Sequence, residues 1–158
     1  MKFIADGMLG KLTRWLRMLG QDVEYSRSLN DEQLIKTAKA ENRVLLTRDL
    51  KLYQLARKQG VDATLIKSAK EAEKLASLAK QFNFKLEIDV TISRCPKCNT
   101  SIKSVSKNSI LVKIPEATST YYDEFWECLG CEQIYWRGSH WKRIEKTLKA
   151  ARQALKNP

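Results

Sequence analysis

Over the first eighty residues, short unbroken apolar runs alternate with stripes in which apolar residues recur every three or four positions. The short runs predict strands at Lys2–Asp6 (KFIAD), Asp22–Tyr25, Arg43–Asp49 (RVLLTRD) and Val61–Ile66. In the third of these, Val44, Leu45 and Leu46 follow one another between charged residues, the pattern of a central parallel strand buried on both faces. The stripes predict four helices. Met8–Leu19 turns Leu9, Leu12, Trp15, Leu16 and Leu19 inward; Asn30–Glu41 turns in Leu34, Ile35 and Ala38; Leu50–Gln59 turns in Leu52, Leu55 and Ala56; Ala69–Phe82 turns in Ala72, Leu75, Ala76 and Ala79. Gly20 and Gly60 supply stops, and Asn30 before Asp31 and Glu32 reads as an N-cap followed by first-turn acids. Strand and helix in this alternation imply right-handed βαβ units and a parallel sheet covered on both faces.

Two of the predicted strands end in aspartate, Asp6 and Asp49. Ligands of open α/β sheets bind beyond the carboxyl ends of the strands, so the topology makes both residues site candidates. Asp49 also reads as a simple cap for the helix that follows it. If the two strands are parallel, the carboxylates leave one edge of the sheet together, with Asp31 on the same rim. Carboxylates gathered in one cleft repel one another unless a cation lies among them. Hard oxygen ligands of this kind suit Mg²⁺ or Mn²⁺, which activates water and neutralises charge on a phosphoryl group. The outer face of the first helix carries Lys11, Arg14 and Arg17, cations placed to meet a phosphodiester backbone or simply to be solvated. Gly7 and Gly10 form only a weak Gly-x-x-Gly signal, and no complete dinucleotide or P-loop fingerprint occurs.

Charge widens the case for a polyanionic partner. The formal net charge is +11 in 158 residues, with 17 basic against 12 acidic residues over 1–90 and 12 against 6 beyond, so both halves can face nucleic acid. Acid and glycine a few residues into MKFIADG leave no room for a signal-peptide core, and no later run approaches a membrane span. A cytoplasmic protein without a membrane partner is expected. In that reducing compartment four cysteines point to metal ligands or free thiols rather than disulfides.

The cysteines fall as Cys95-Pro-Lys-Cys98 and Cys128-Leu-Gly-Cys131 with 29 residues between the pairs, the spacing of a four-thiolate zinc site. Four thiolates leave no open coordination position, so this zinc is structural. Phe84–Arg94 alternates apolar and charged residues, as an extended linker or edge strand does, with Glu87 and Asp89 solvated. Ser109–Ile114 and Tyr121–Glu127 are the expected strands of a ribbon between the knuckles. The run Ile134–Arg143 interleaves Trp136 and Trp141, which suit packing, with Arg137, Lys142 and Arg143, which suit RNA contact; His140, the only histidine, reads as structural. Trp141–Leu155 is a basic helix with Ile144, Leu148, Ala151 and Leu155 on one stripe.

FIAD, the Leu-Gly-Lys-Leu-x-Arg-Trp-Leu-Arg helix, Asn-Asp-Glu-x-Leu and RVLLTRD, in that order, resemble the PIN-like RNase domain found at the C terminus of the mut-seven exonuclease and as small prokaryotic proteins. The likeness runs through the cysteine module. It implies an α/β PIN-like parallel sheet flanked by helices over 1–83, a linker or edge strand over 84–93, and a small zinc ribbon with a C-terminal basic helix over 94–158. It also implies a metal-dependent ribonuclease, expected as an endonuclease rather than an exonuclease, with Asp6, Asp31 and Asp49 as the acidic Mg or Mn site. Lys11, Arg14, Arg48, Arg137, Lys142 and Arg143 are the expected RNA contacts. Where such nucleases often carry a further acid, this chain continues Leu50-Lys51-Leu52, which suits one metal rather than two. The alternative is an inactive protein of the same fold that binds RNA or a ribonucleoprotein.

Overall fold

A computed structural model describes residues 1–157. Four parallel strands, β1 (Lys2–Ala5), β2 (Asp22–Tyr25), β3 (Val44–Thr47) and β4 (Ala63–Leu65), form one sheet in the order β2-β1-β3-β4. Phe3, Ile4, Ala5, Leu45, Leu46 and Thr47 are wholly buried, because β1 and β3 lie in the middle of the sheet with helices on both faces. Helices α1 (Gly10–Met18) and α4 (Glu71–Phe82) pack on one face around Phe3, Ala5 and Leu46; α2 (Asp31–Glu41) and α3 (Leu50–Lys58) pack on the other around Ile4 and Leu45. One-residue alternation along β1 and β3 thus feeds two separate cores.

The inward stripes of α1 and α2 match expectation residue for residue. On α3, Leu52 and Ala56 are buried but Leu55 stays 41% exposed, since the stripe that meets the sheet is narrower than the run of apolar residues. On α4, Leu78 is buried together with the expected Leu75, Ala76 and Ala79 because a second helix covers this one from outside. That helix is α6 (Trp141–Lys156), whose Leu148 and Ala151 join the core beneath α1 and α4. The end of the chain is therefore fixed to the parallel-sheet half.

Cys95 to Tyr135 contains a small antiparallel sheet, β5 (Ile102–Val105), β6 (Phe125–Cys128) and β7 (Ile134–Tyr135), in the order β5-β6-β7. Two strand expectations need correction here. Ser109–Ile114 is a 3₁₀ stretch, Lys107–Lys113, and Tyr121 closes a short helix, α5 (Glu116–Tyr121), rather than opening a strand. The reason lies in spacing: Ile110 and Ile114, four apart, both turn into the ribbon core with Phe125 and Ile134, while Val112 between them is 96% exposed. A strand would turn Ile110, Val112 and Ile114 to one face, so the exposure of Val112 between two buried isoleucines marks a helical turn instead. Phe84–Arg94 is a linker without strand pairing apart from a single Arg94–Ser101 bridge. It is laid along the core by buried Leu86, by Arg152 donating to the Leu86 carbonyl (2.7 Å) and by Ser93 donating to the Met18 carbonyl (2.7 Å). Among the described residues, no helix is long and apolar enough to cross a membrane.

Candidate functional site

Adjacent parallel pairing of β1 and β3, with Ala5 opposite Leu46, brings Asp6 and the residues after β3 to the same edge of the sheet. The Asp6 amide continues the ladder to the Leu46 carbonyl (3.1 Å). Asp6 as a whole is only 6% exposed, and its carboxylate has no ion-pair partner among the described residues. One oxygen, Oδ1, accepts the Met8 amide (2.9 Å), and Oδ2 accepts the hydroxyl of fully buried Thr47. Thr47 Oγ1 in turn accepts the Asp49 amide (3.0 Å). One hydroxyl thus ties Asp6 to the backbone of Asp49.

Asp49 does cap α3: its Oδ1 accepts the amides of Lys51 (2.9 Å) and Leu52 (3.2 Å). The cap engages one carboxylate oxygen and leaves Oδ2 on an exposed residue open to solvent, so capping and ligand binding are compatible. Asp31 is the first residue of α2, exposed, behind a capping box in which Asn30 and Gln33 exchange side-chain and backbone hydrogen bonds (2.8 and 2.9 Å). Helices α1, α2 and α3 all follow parallel strands and so begin at this one edge, where their free amides add positive potential. The aspartates share the rim but do not form a tight cage. Among the described residues, the four cysteines are the group of three or more His, Cys, Asp or Glu drawn closely enough to enclose an ion. A Mg²⁺ ion keeps several waters and needs only one or two protein carboxylates, so an all-oxygen rim of this kind fits it by chemistry.

The expected basic contacts do not gather in one place. Lys11 and Arg14 are exposed on α1 and line a cleft of about 740 Å³ that begins at Gly7 and Met8 beside Asp6. Arg17, expected on that same outer face, is 6% exposed instead: Nε and Nη2 donate to the Val23 carbonyl (3.0 and 2.7 Å), and Nη1 donates to the Pro96 carbonyl (2.9 Å). Burial lowers its pKa, against the raising influence of Glu24 and the nearby cysteines. Arg48 donates to the Ser68 carbonyl (2.8 Å) and remains exposed. Arg137 lies between two indoles, 5.4 Å from the Trp126 ring centre and 5.1 Å from that of Trp141, so its guanidinium is engaged in stacking. Lys142 and Arg143 are exposed in the first turn of α6. Sequence reasoning missed Thr47, and it missed Arg27 and Lys97, which line the cleft with Lys11 and Arg14. Lys97 was visible only as the filler of a Cys-x-x-Cys.

Gly10, at the start of α1, has a steric reason. The Tyr25 hydroxyl donates to the Gly7 carbonyl (2.8 Å), and a Cβ at Gly10 would lie 2.9 Å from that same hydroxyl. Tyr25 therefore pins the turn that carries Asp6, and only glycine leaves space for it.

The four cysteine sulfurs lie within 4.8 Å of one another, with Cys95–Cys131 at 3.7 Å and Cys98–Cys128 at 3.3 Å. Tetrahedral zinc with Zn–S bonds of about 2.3 Å sets its sulfurs roughly 3.8 Å apart, so the group fits a structural zinc. Partners suited to thiolates surround it. The amides of Gly130 and Cys131 both point at Cys128 Sγ (3.3 Å each), and the Tyr135 hydroxyl sits 2.9 Å from Cys95 Sγ. The Thr100 hydroxyl and amide pull the Cys98 thiol down to about 6, whereas burial pushes Cys128 up to about 12.

The first knuckle is bolted to the edge strand β2. Asn99, in the left-handed region at φ 73°, accepts the Val23 amide (3.1 Å) and donates to Asp22 Oδ1 (2.8 Å), which also receives Arg43 Nη1 (2.8 Å). Asn99 thereby caps β-edge groups that would otherwise be free. Burial pushes the Asp22 carboxyl up, but the hydrogen bonds from Arg43 and Asn99 outweigh it and hold the carboxyl below its usual 3.8. A depressed carboxyl contributes stability above the unfolded pKa and loses it as pH falls through the folded value. Asp22→Asn is accordingly expected to cost about 1.5 kcal/mol at neutral pH, as for one lost charge-assisted hydrogen bond, because Arg43 keeps Glu41 and the Phe3 carbonyl. That gap from wild type should close below about pH 4, read from urea midpoints across pH.

A parallel α/β sheet with acids at its strand ends, joined to a four-cysteine ribbon, defines a two-part α/β protein with a cysteine module. The chain belongs to the Mut7-C RNAse domain family, whose model matches residues 1–148. Searches of curated proteins and of solved structures each returned no match. Family membership makes the protein a nuclease-type protein with RNA as its substrate class.

Proposed function

We propose that the protein is a metal-dependent ribonuclease of the cytoplasm that cuts RNA internally, using Asp6, Asp31 and Asp49 to hold one Mg²⁺ or Mn²⁺. The observation that carries this reading is the Asp6–Thr47–Asp49 connection at the carboxyl ends of β1 and β3. When bound, the ion supplies an activated water and neutralises charge growing on the phosphoryl group. The chain's own residues do the rest. Thr47 holds the Asp6 carboxylate in one orientation, and the α3 amides hold Asp49 by Oδ1, which would leave Oδ2 for an ion. Lys11 and Arg14 take phosphate oxygens beside the reacting bond. In this reading residues 1–83 carry the chemistry. Residues 84–93 join them to residues 94–158, whose Lys142 and Arg143 keep RNA or a ribonucleoprotein in register.

The test is cleavage of a labelled RNA with and without Mg²⁺ or Mn²⁺, by wild type and Asp49→Asn. Asparagine caps a helix about as well as aspartate, so α3 persists while the charge goes. Metal-dependent cleavage that Asp49→Asn lacks supports the enzyme. A second reading, an inactive RNA-binding protein, draws on Lys51 in place of a further acid and on a rim looser than a cage. Salt-sensitive RNA binding with no cleavage by either protein would favour it.

A further inference from the structure

The cleft that begins beside Asp6 does not end on the parallel-sheet half. It runs along α1 from Gly7, Met8 and Gly10 past Lys11 and Arg14, and its far wall is the first cysteine knuckle, through Pro96 and Lys97. Arg27, in the loop after β2, lines it as well. No carboxylate lines the cleft, and Lys11, Arg14, Arg27 and Lys97 are in no ion pair among the described residues. All four are exposed, although the chain has 18 acidic residues to pair with. Four unpaired cations in one groove repel one another, and a polyanion is the partner that removes that repulsion. Two tyrosines, Tyr25 and Tyr135, also line the groove, and each is held by its hydroxyl, Tyr25 on Gly7 and Tyr135 on Cys95 Sγ. Rigid rings beside a cationic track are the features with which proteins hold unpaired nucleotides.

We infer that this cleft is the track by which single-stranded RNA reaches the aspartates, with Arg27 and Lys97 as phosphate contacts and the zinc knuckle as one of its walls. The inference rests on the ribonuclease reading for the identity of the strand. It gives the zinc site a function at the active centre: Arg17 and Asn99 fix the knuckle to β2, and the knuckle sets where Lys97 stands. Buried Arg17 is thus a positioning residue for the track and makes no contact with RNA itself.

The experiment is fluorescence anisotropy of a short labelled oligouridine over a salt series, with the full chain and no added divalent cation so that the strand stays intact. Arg27→Glu with Lys97→Glu should weaken binding at least about tenfold and lower the salt slope by about 1.4, at roughly 0.7 per lost contact on a single strand. The reference pair, Lys36→Glu with Lys39→Glu on α2 at the opposite face of the sheet, carries the same charge change and should shift binding less than about twofold, an estimate for loss of distant, screened charge. Zinc content equal to wild type shows that the knuckle has formed, and Arg27→Gln with Lys97→Gln replaces the first pair if it has not. Equal weakening by both pairs, or none by either, overturns the inference. So does a duplex RNA that competes as well as the single strand. If the cleft pair loses binding yet wild type never cleaves, the track stands and the nuclease reading falls. If Asp49→Asn abolishes cleavage while the cleft pair binds as wild type does, the reverse holds.

Discussion

Asp6→Asn should reduce RNA cleavage by about a thousandfold or more with the fold intact. The side chain is nearly inaccessible and bonded at both oxygens, to the Met8 amide and the Thr47 hydroxyl. An asparagine can keep both contacts, its carbonyl accepting from Met8 and its amide donating to Thr47 Oγ1; the Thr47 hydroxyl proton loses its acceptor, a cost of about 1–3 kcal/mol that lowers stability without removing the fold. What goes is a negative charge at the proposed ion. An ion that stabilises the transition state by several kcal/mol loses much of that effect without the ligand, and about 4 kcal/mol is roughly a thousandfold. Thr47→Val separates orientation from charge. It removes the hydroxyl that joins Asp6 to Asp49 while keeping the shape, and supporting contacts of this kind are worth about 10- to 100-fold in metal affinity or activity. Its deficit should shrink as Mg²⁺ is raised, whereas that of Asp6→Asn should not. Cleavage by Asp6→Asn at the wild-type rate would remove the acidic site from the reaction.

Withdrawal of zinc, or Cys128→Ser, should unfold the ribbon while the parallel sheet remains. The ribbon's own core is four residues, Ile110, Ile114, Phe125 and Ile134. So few buried side chains do not offset the entropy of ordering the segment, whereas structural zinc contributes about 10–16 kcal/mol in small domains. The two cores of the sheet contain no ribbon residue, so they are expected to survive. Near-ultraviolet circular dichroism should lose the signal of Trp126 and Trp136, with far-ultraviolet helix content retained, and re-addition of zinc should restore it. An unchanged aromatic spectrum after the metal is stripped would show that the thiols hold together by packing alone.

The effect should pass into the other half of the chain. Without the knuckle, Arg17 keeps its two bonds to the Val23 carbonyl but loses the Pro96 carbonyl, and the Val23 amide loses Asn99. The outer edge of β2 then becomes an open strand edge, the usual starting point for association between chains.

What the chain reveals when read alone is local. Strands and helices of the first half are legible because apolar spacing distinguishes period two, unbroken runs and period 3.6 within a few residues, and each period dictates which side chains leave water. The paired Cys-x-x-Cys is legible because tight turns bring both thiols of a pair together before any folding at distance. Asp6 and Asp49 are legible as strand ends, but Thr47, the hydroxyl between them, is one threonine among many until β1 and β3 are seen side by side.

Arg17 marks the boundary most sharply. It occupies the same helical face as Lys11 and Arg14, and no local property separates the three. The partner that buries it lies 79 residues along the chain, in the knuckle at Pro96. Likewise Leu78 is buried by α6, and the ribbon's 3₁₀ stretch turns Ile110 and Ile114 to Phe125 and Ile134 while leaving Val112 in water, which a strand would not do. Spacing by itself determined which residues seek an interior, since hydrophobicity and backbone geometry act over a turn or two. Tertiary structure alone decided which charges stay free to meet RNA and which become braces, because burial of a charge depends on the acceptors that distant segments bring to it.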